Sequence, residues 1–275
     1  MGSEQHGTDC IYRRTWTALK EDFTRHLGWK KPPGYRSPFI SWSTSLHMVL
    51  YRAFTGWYNV EDRDVFLCFL DLRRCNIVHG NVLGVTDRIL DTFCDHGKEL
   101  IAEKKKINKF TTEILTYGNF NCQGALTMVN WTRVMPLFKQ LYPTLAKMPH
   151  RLPTGMNEKA QTAREKWSKE TLRFVTDQEL RLAIEIARLF CECVDGKPVL
   201  QKTDPNLVLA LLGCLGNVSL HEDQFSTIRE LHPTEDSDRS PYPGQKNGHG
   251  KLWGECCQEV AQFQEMSDQV RGFRK

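Results

Sequence analysis

The stretch Ser37-Pro38-Phe39-Ile40-Ser41-Trp42-Ser43-Thr44-Ser45-Leu46 decides the fold class, because it turns from extended to helical within a few residues. Ser37 precedes a proline, which biases it away from the α region, and Phe39-Ile40 favours a strand. From Ser45 the period changes. Leu46, Val49, Leu50 and Ala53 recur at three- and four-residue spacing and predict a helix over 45–54. A strand that hands over directly to a helix, with hydroxyls clustered at the junction, makes a polar floor on which a sugar or phosphate can be oriented. The plainer alternative is that Ser43 or Ser45 only caps the helix.

Outward from this junction the pattern stays mixed. Ile11-Tyr12-Arg13 is a short β-like start. Trp16, Leu19, Phe23 and Leu27 then give an amphipathic helix over 15–27, stopped by Gly28. Val65 to Leu70 is a continuous apolar run and predicts a central strand buried on both faces. The stretch 86–108 reads as mostly helical. Phe110–Thr116 and Asn119–Val129 read as strands, punctuated by Tyr117-Gly118. This order predicts an α+β fold with a small mixed or antiparallel sheet and flanking helices, not a regular βαβ repeat.

From residue 131 the expectation is almost wholly helical. Thr176 with Glu179 forms a capping box, Asp204-Pro205 a cap followed by proline at the first helical position, and Ser219 with Glu222 a second box. Residues 233–250 are rich in Pro, Gly, Ser and charge and read as a loop, and a last helix is expected over 253–273. The implied organisation is an α+β domain over 10–130, a helical region over 131–231, a flexible loop over 232–251 and a C-terminal helix over 252–275.

Composition narrows the function classes. The chain has 275 residues, 40% hydrophobic and 25% charged, which fits a globular protein and argues against wholesale disorder. A formal charge of +4 falls short of the footprint of a dedicated nucleic-acid binder. The ten cysteines contain no Cys-x-x-Cys pair, and Cys191 and Cys193 have no ligand partner at zinc spacing. Cys68 and Cys214 sit inside apolar runs and read as small buried hydrophobes. No disulfide framework and no metal is expected, since His47 and His79 are also isolated. The N-terminus lacks an apolar signal core, and the longest apolar stretch, Leu207–Leu215, is too short to span a bilayer. The expectation is a cytosolic or nuclear protein, not secreted and without a membrane partner. No glycine-rich phosphate loop and no Gly-x-Ser-x-Gly elbow is present.

Two further features can carry chemistry. Glu113 lies in Phe110-Thr111-Thr112-Glu113-Ile114-Leu115-Thr116, a lone carboxylate in an apolar and hydroxylic strand, where burial is costly unless it is paired. A solvent-facing position or a partner for Arg13 or Arg14 is the competing explanation. Arg13, on the first strand, can clamp a phosphate bidentately.

Taken in order, an Arg on the first strand, a Phe-x-Ser-x-Ser strand-to-helix segment and a later strand with Glu followed by an aliphatic pair resemble the Arg–Ser–Glu layout of ADP-ribosyltransferases. Ser-Pro-Phe-Ile-Ser followed by Glu-Ile-Leu-x-x-Gly also resembles a poorly characterised domain of filamentous-fungal proteins; the likeness covers roughly residues 10 to 125. The resemblance implies NAD as co-substrate. Arg13 would bind the NAD phosphates or the nicotinamide ribose, Ser41 and Ser43 would hold the active-site strand and ribose, and Glu113 would be the catalytic glutamate. Trp42 stands where the family usually has Thr. Thr111, two before the glutamate, replaces the Glu or Gln that often engages the acceptor. Transfer to an acceptor other than arginine, simple NAD hydrolysis, or a fold without activity are all compatible with that change. Two alternatives from other classes stand beside this one. The first is a fungal secondary-metabolism transferase using another activated donor such as aminoacyl-tRNA, to which the modest positive charge is suited. The second is a non-catalytic interaction module presenting the helical half.

Overall fold

Ser45 marks the change from strand to helix. Strand β1 (Phe39–Ser43) ends just before it, and α1 (Leu46–Phe54) begins just after it. The Ser45 hydroxyl accepts the Met48 N–H at 3.1 Å and its carbonyl accepts the Val49 N–H at 3.2 Å. The first turn of a helix has N–H groups without partners in the helix itself, and this serine takes one of them. The computed structural model describes residues 15, 17–18, 21–22, 25, 37, 39–43, 45–54, 65–70, 82–85, 113–117, 126–147, 169–194, 197–200, 203–231, 258–270 and 272. These mix helices with small sheets, as an α+β chain does, and they divide into two units.

The first unit contains β1, β3 (Val82–Val85) and β4 (Glu113–Tyr117). They form a three-stranded antiparallel sheet in the order β1-β4-β3. The expected N-terminal helix belongs here too. Thr17, Ala18, Glu21, Asp22 and Arg25 are helical, the Thr15 hydroxyl accepts the Ala18 N–H at 3.3 Å, and Arg25 pairs with Glu21 at 3.7 Å. The predicted strand at Ile11–Arg13 and helix over 86–108 lie outside the described residues.

The second unit takes up α1 and β2 (Phe66–Leu70), then continues from β5 (Leu126–Asn130) through α2 (Trp131–Leu141) and α3 (Pro143–Ala146). Next come β6 (Arg173–Phe174), α4 (Asp177–Leu189), β7 (Cys191–Val194) and β8 (Lys197–Leu200). It ends with α5 (Pro205–Gly213), β9 (Val218–Ser219), α6 (Glu222–Glu230) and α7 (Gln258–Val270). β2, β5, β7 and β8 form an antiparallel sheet in that order, and β6 and β9 a separate parallel pair.

Its core is built round α5, whose Leu207, Val208, Leu209, Leu211 and Leu212 are all buried. A helix apolar on every side must be surrounded, and α4 and α7 pack against it. An aromatic series joins the rest. Phe54 meets Trp131 edge-on at 5.0 Å, Trp131 stacks on Phe138 at 5.9 Å, and Phe138 stacks on Tyr142 at 5.9 Å. The buried Tyr142 hydroxyl donates to the Leu211 carbonyl. Burial pushes its pKa well up, with Cys214 and Glu179 adding to the rise.

Four expectations need correction. The second half is not almost wholly helical, since β6 to β9 lie within it. β2 is not a central strand buried on both faces: it stands at the end of its sheet, with Leu67 inward, Phe66 53% exposed and Cys68 exposed. Cys68 is therefore not the small buried hydrophobe expected, whereas Cys214 is fully buried. The Ser219–Glu222 box is displaced. α6 starts at Glu222, and the Gln224 side chain accepts the His221 N–H at 3.1 Å. The other two caps stand as predicted. Thr176 and Glu179 bond reciprocally, and the Asp204 carboxylate accepts the Asn206 N–H at 2.8 Å ahead of Pro205. α7 falls inside the expected terminal helix, and the predicted loop over 233–250 lies outside the described residues.

Candidate functional site

Register sets the geometry of the predicted site. β1 runs antiparallel to β4 with Ser43 opposite Glu113, Trp42 opposite Ile114, Ser41 opposite Leu115 and Ile40 opposite Thr116. Residues directly opposite in an antiparallel pair share a face of the sheet, and alternate residues along a strand return to that face. Ser41, Ser43 and Glu113 therefore belong to one face, together with Leu115 (opposite Ser41) and the pair Phe39 and Tyr117. Ile40, Trp42 and Ile114 belong to the other. The face that holds Ser41, Ser43 and Glu113 is thus mixed, with the aromatic positions Phe39 and Tyr117 paired at its far end.

Within that arrangement the serines divide their tasks. Ser45 is fully buried and committed to α1 as its cap. Ser43 is half-buried in the strand, at the register position facing Glu113. The capping alternative thus holds for Ser45, while Ser43 sits in the sheet. Arg13 lies outside the described residues, so the arrangement joins Ser41, Ser43 and Glu113 without it.

Sequence reading overlooked one component. Val85 pairs with Ile114 and Gly84 with Leu115, and the register shifts between Val82 and Gly84. Gly84 thereby falls on the face of Ser41 and Glu113, in the row Ser41–Leu115–Gly84. A glycine inside a strand-like run often marks a bulge or the close approach of a ligand. Val82-Leu83-Gly84-Val85 carried that signal, although it was not read as a strand.

The register thus sets a carboxylate-bearing position opposite a hydroxyl-bearing one on the neighbouring strand. Together these can orient a ribose and stabilise positive charge developing on it. Among the described residues no group of three His, Cys, Asp or Glu side chains is placed to hold a metal ion, and no helix is long and apolar enough to cross a membrane.

Comparison with known proteins adds one finding. Residues 4–119 match the family model of a domain of unknown function (DUF7587), a stretch that overlaps the segment carrying the sequence resemblance. No curated protein and no solved structure matches the chain.

Proposed function

We propose that the first unit is an NAD-using transferase or glycohydrolase of the ADP-ribosyltransferase type, with Glu113 as the catalytic carboxylate and Ser43 and Ser41 as ribose-orienting groups. One observation carries this reading: Ser43 and Glu113, far apart in the chain, stand opposite each other on adjacent antiparallel strands. In the proposed reaction the bond between ribose C1′ and the nicotinamide nitrogen breaks, and its electron pair leaves with nicotinamide. The oxocarbenium ion left on the ribose is stabilised by the carboxylate, and water or an acceptor nucleophile adds at C1′ and releases a proton. The hydroxyls hold the ribose so that its C1′ faces the carboxylate. Arg13 is assigned the NAD phosphates on the sequence resemblance.

The test combines isothermal titration with NAD and a nicotinamide-release assay on the full chain. Glu113→Gln keeps the size but removes the charge and turns one acceptor oxygen into a donor. It is expected to lower release by about 10²–10³-fold while leaving NAD affinity nearly unchanged. Ser43→Ala is expected to weaken both. A folded protein that neither binds NAD nor releases nicotinamide would rule the reading out and turn attention to another activated donor.

A further inference from the structure

Among the described residues, strand β6 pairs along only one of its two edges. Its parallel pairing with β9 employs the Arg173 N–H, which donates to the Asn217 carbonyl at 3.2 Å, and the Val175 N–H, which donates to the Ser219 carbonyl at 2.9 Å. Along a strand, alternate residues turn their backbone groups to opposite edges. Leu172 and Phe174 therefore present theirs away from β9, where among the described residues this two-stranded sheet has no further strand. Among the described residues no acceptor meets the Phe174 N–H. Its carbonyl receives a bond at 3.2 Å from the neighbouring Arg173 guanidinium.

The same two residues carry the exposed apolar side chains of this region, with Leu172 58% and Phe174 53% exposed. Phe174 lays one ring face on His221 at 4.0 Å and leaves the remainder open. The strand is held ready. Val175 is buried, and Arg173 is fixed by a two-pronged pair to Glu179 at 2.7 and 2.8 Å. Exposed carboxylates lie close by in the chain: Glu170 three residues before β6, Asp177 in the first turn of α4, where it accepts the Gln224 amide, and Glu222 and Asp223 in the first turn of α6, just after the His221 that Phe174 stacks on. Lys169 lies four residues before β6, and Arg181 lies one turn into α4, bonded to the Asp177 carbonyl. The charge of Arg173 is already met by Glu179, so among the described residues the carboxylates here outnumber the free cations.

We propose that the free edge of β6 docks an extended basic segment of a partner protein, which adds to the sheet as a strand. Its backbone would pair with Phe174 and Leu172, an apolar side chain would cover those two residues, and flanking Lys or Arg would face Asp177, Glu222 and Asp223. A second copy of this chain fits poorly. Two-fold pairing of β6 with itself would set these carboxylates against the same carboxylates and Arg173 opposite Arg173.

The test uses the full-length protein and a short synthetic peptide of alternating lysine and valine, with one of alternating glutamate and valine as comparison. The lysine peptide is expected to bind saturably, to slow hydrogen exchange at the Phe174 amide, and to weaken as salt is raised. Replacing Leu172 and Phe174 together by Thr, which preserves strand propensity, is expected to weaken it roughly tenfold or more. Unchanged Phe174 exchange at saturating lysine peptide overturns the proposal, as does equal affinity for the glutamate peptide. Self-association that disappears in the Leu172→Thr, Phe174→Thr protein overturns it in favour of a second copy. The exchange measurement on the unaltered protein decides the matter even if that variant fails to fold.

Discussion

Glu179 carries a charge that its own burial opposes. Burial raises its pKa, but the hydrogen bonds from Arg173 and from the Thr176 N–H and hydroxyl, together with the Arg173 charge, outweigh it, and the net shift is downward. A carboxyl whose pKa is lower folded than unfolded stabilises the fold above its unfolded pKa, and that stability is lost as the pH falls through the folded value. Arg173→Gln should therefore destabilise the protein at neutral pH by no more than about 1 kcal/mol, since the arginine is partly exposed. The difference from the unaltered protein should shrink once the pH falls below the ordinary carboxylate range. Urea unfolding of both proteins across a pH series measures this directly. The cysteines give a second expectation at the same scale. Exposed Cys68 should react with a thiol reagent in the native protein, and Cys214, fully buried, only after unfolding, as mass mapping of the labelled peptides will show.

Elements whose signals are local were legible in the sequence, and those that depend on distant partners were not. Thr176 with Glu179, and Asp204 with Pro205, need only their own first turns, and both caps are found where the residues stand. Ser219 with Glu222 has the same spacing, yet the helix takes Gln224 as its back-bonding residue. That glutamine also donates to the Val175 carbonyl at 2.9 Å and to Asp177 at 3.1 Å, partners remote in sequence. The hairpin of β7 and β8 was readable in principle from Asp195-Gly196 between two short β-forming runs, but a strongly periodic helix directly before it invites a helical continuation. Pro198 is tolerated there because, among the described residues, β8 ends its sheet. For the candidate site, residue types pointed to Ser41, Ser43 and Glu113, but nothing local could reveal that Ser43 and Glu113 face each other, because strand pairing is a long-range fact. The same division between local and long-range contributions orders the energetics. Thr176→Ala or Asp204→Ala should each cost about 1 kcal/mol, the worth of a cap. Leu211→Ala, which empties space at a fully buried position of α5, should cost about 2–5 kcal/mol. Chemical denaturation of the three variants tests that ranking.

The family match and the packing divide the chain differently. Residues 4–119 include β1, β3 and β4 of the first unit, but also α1 and β2, which belong to the second. α1 buries Leu50, Tyr51 and Phe54, and Phe54 rests on Trp131, which lies beyond the matched stretch. Among the described residues β2 pairs with β5 alone, and the Trp131 N–H donates to the Val65 carbonyl at 2.8 Å, so the partners of both elements lie past residue 119. Ending the chain at 119 would expose Leu50, Tyr51, Phe54 and Leu67 and leave one edge of β2 without its ladder. Each large apolar side chain returned to water costs about 1.5–3 kcal/mol, and a domain has only about 5–15 kcal/mol in total. A fragment of residues 4–119 is therefore expected to lack a cooperative unfolding transition and dispersed amide resonances, while the full chain shows both. Thermal circular dichroism and a proton–nitrogen spectrum of the two decide it. A fragment that melts sharply would mean that α1 and β2 can draw their stability from the first unit, and that the matched stretch folds by itself.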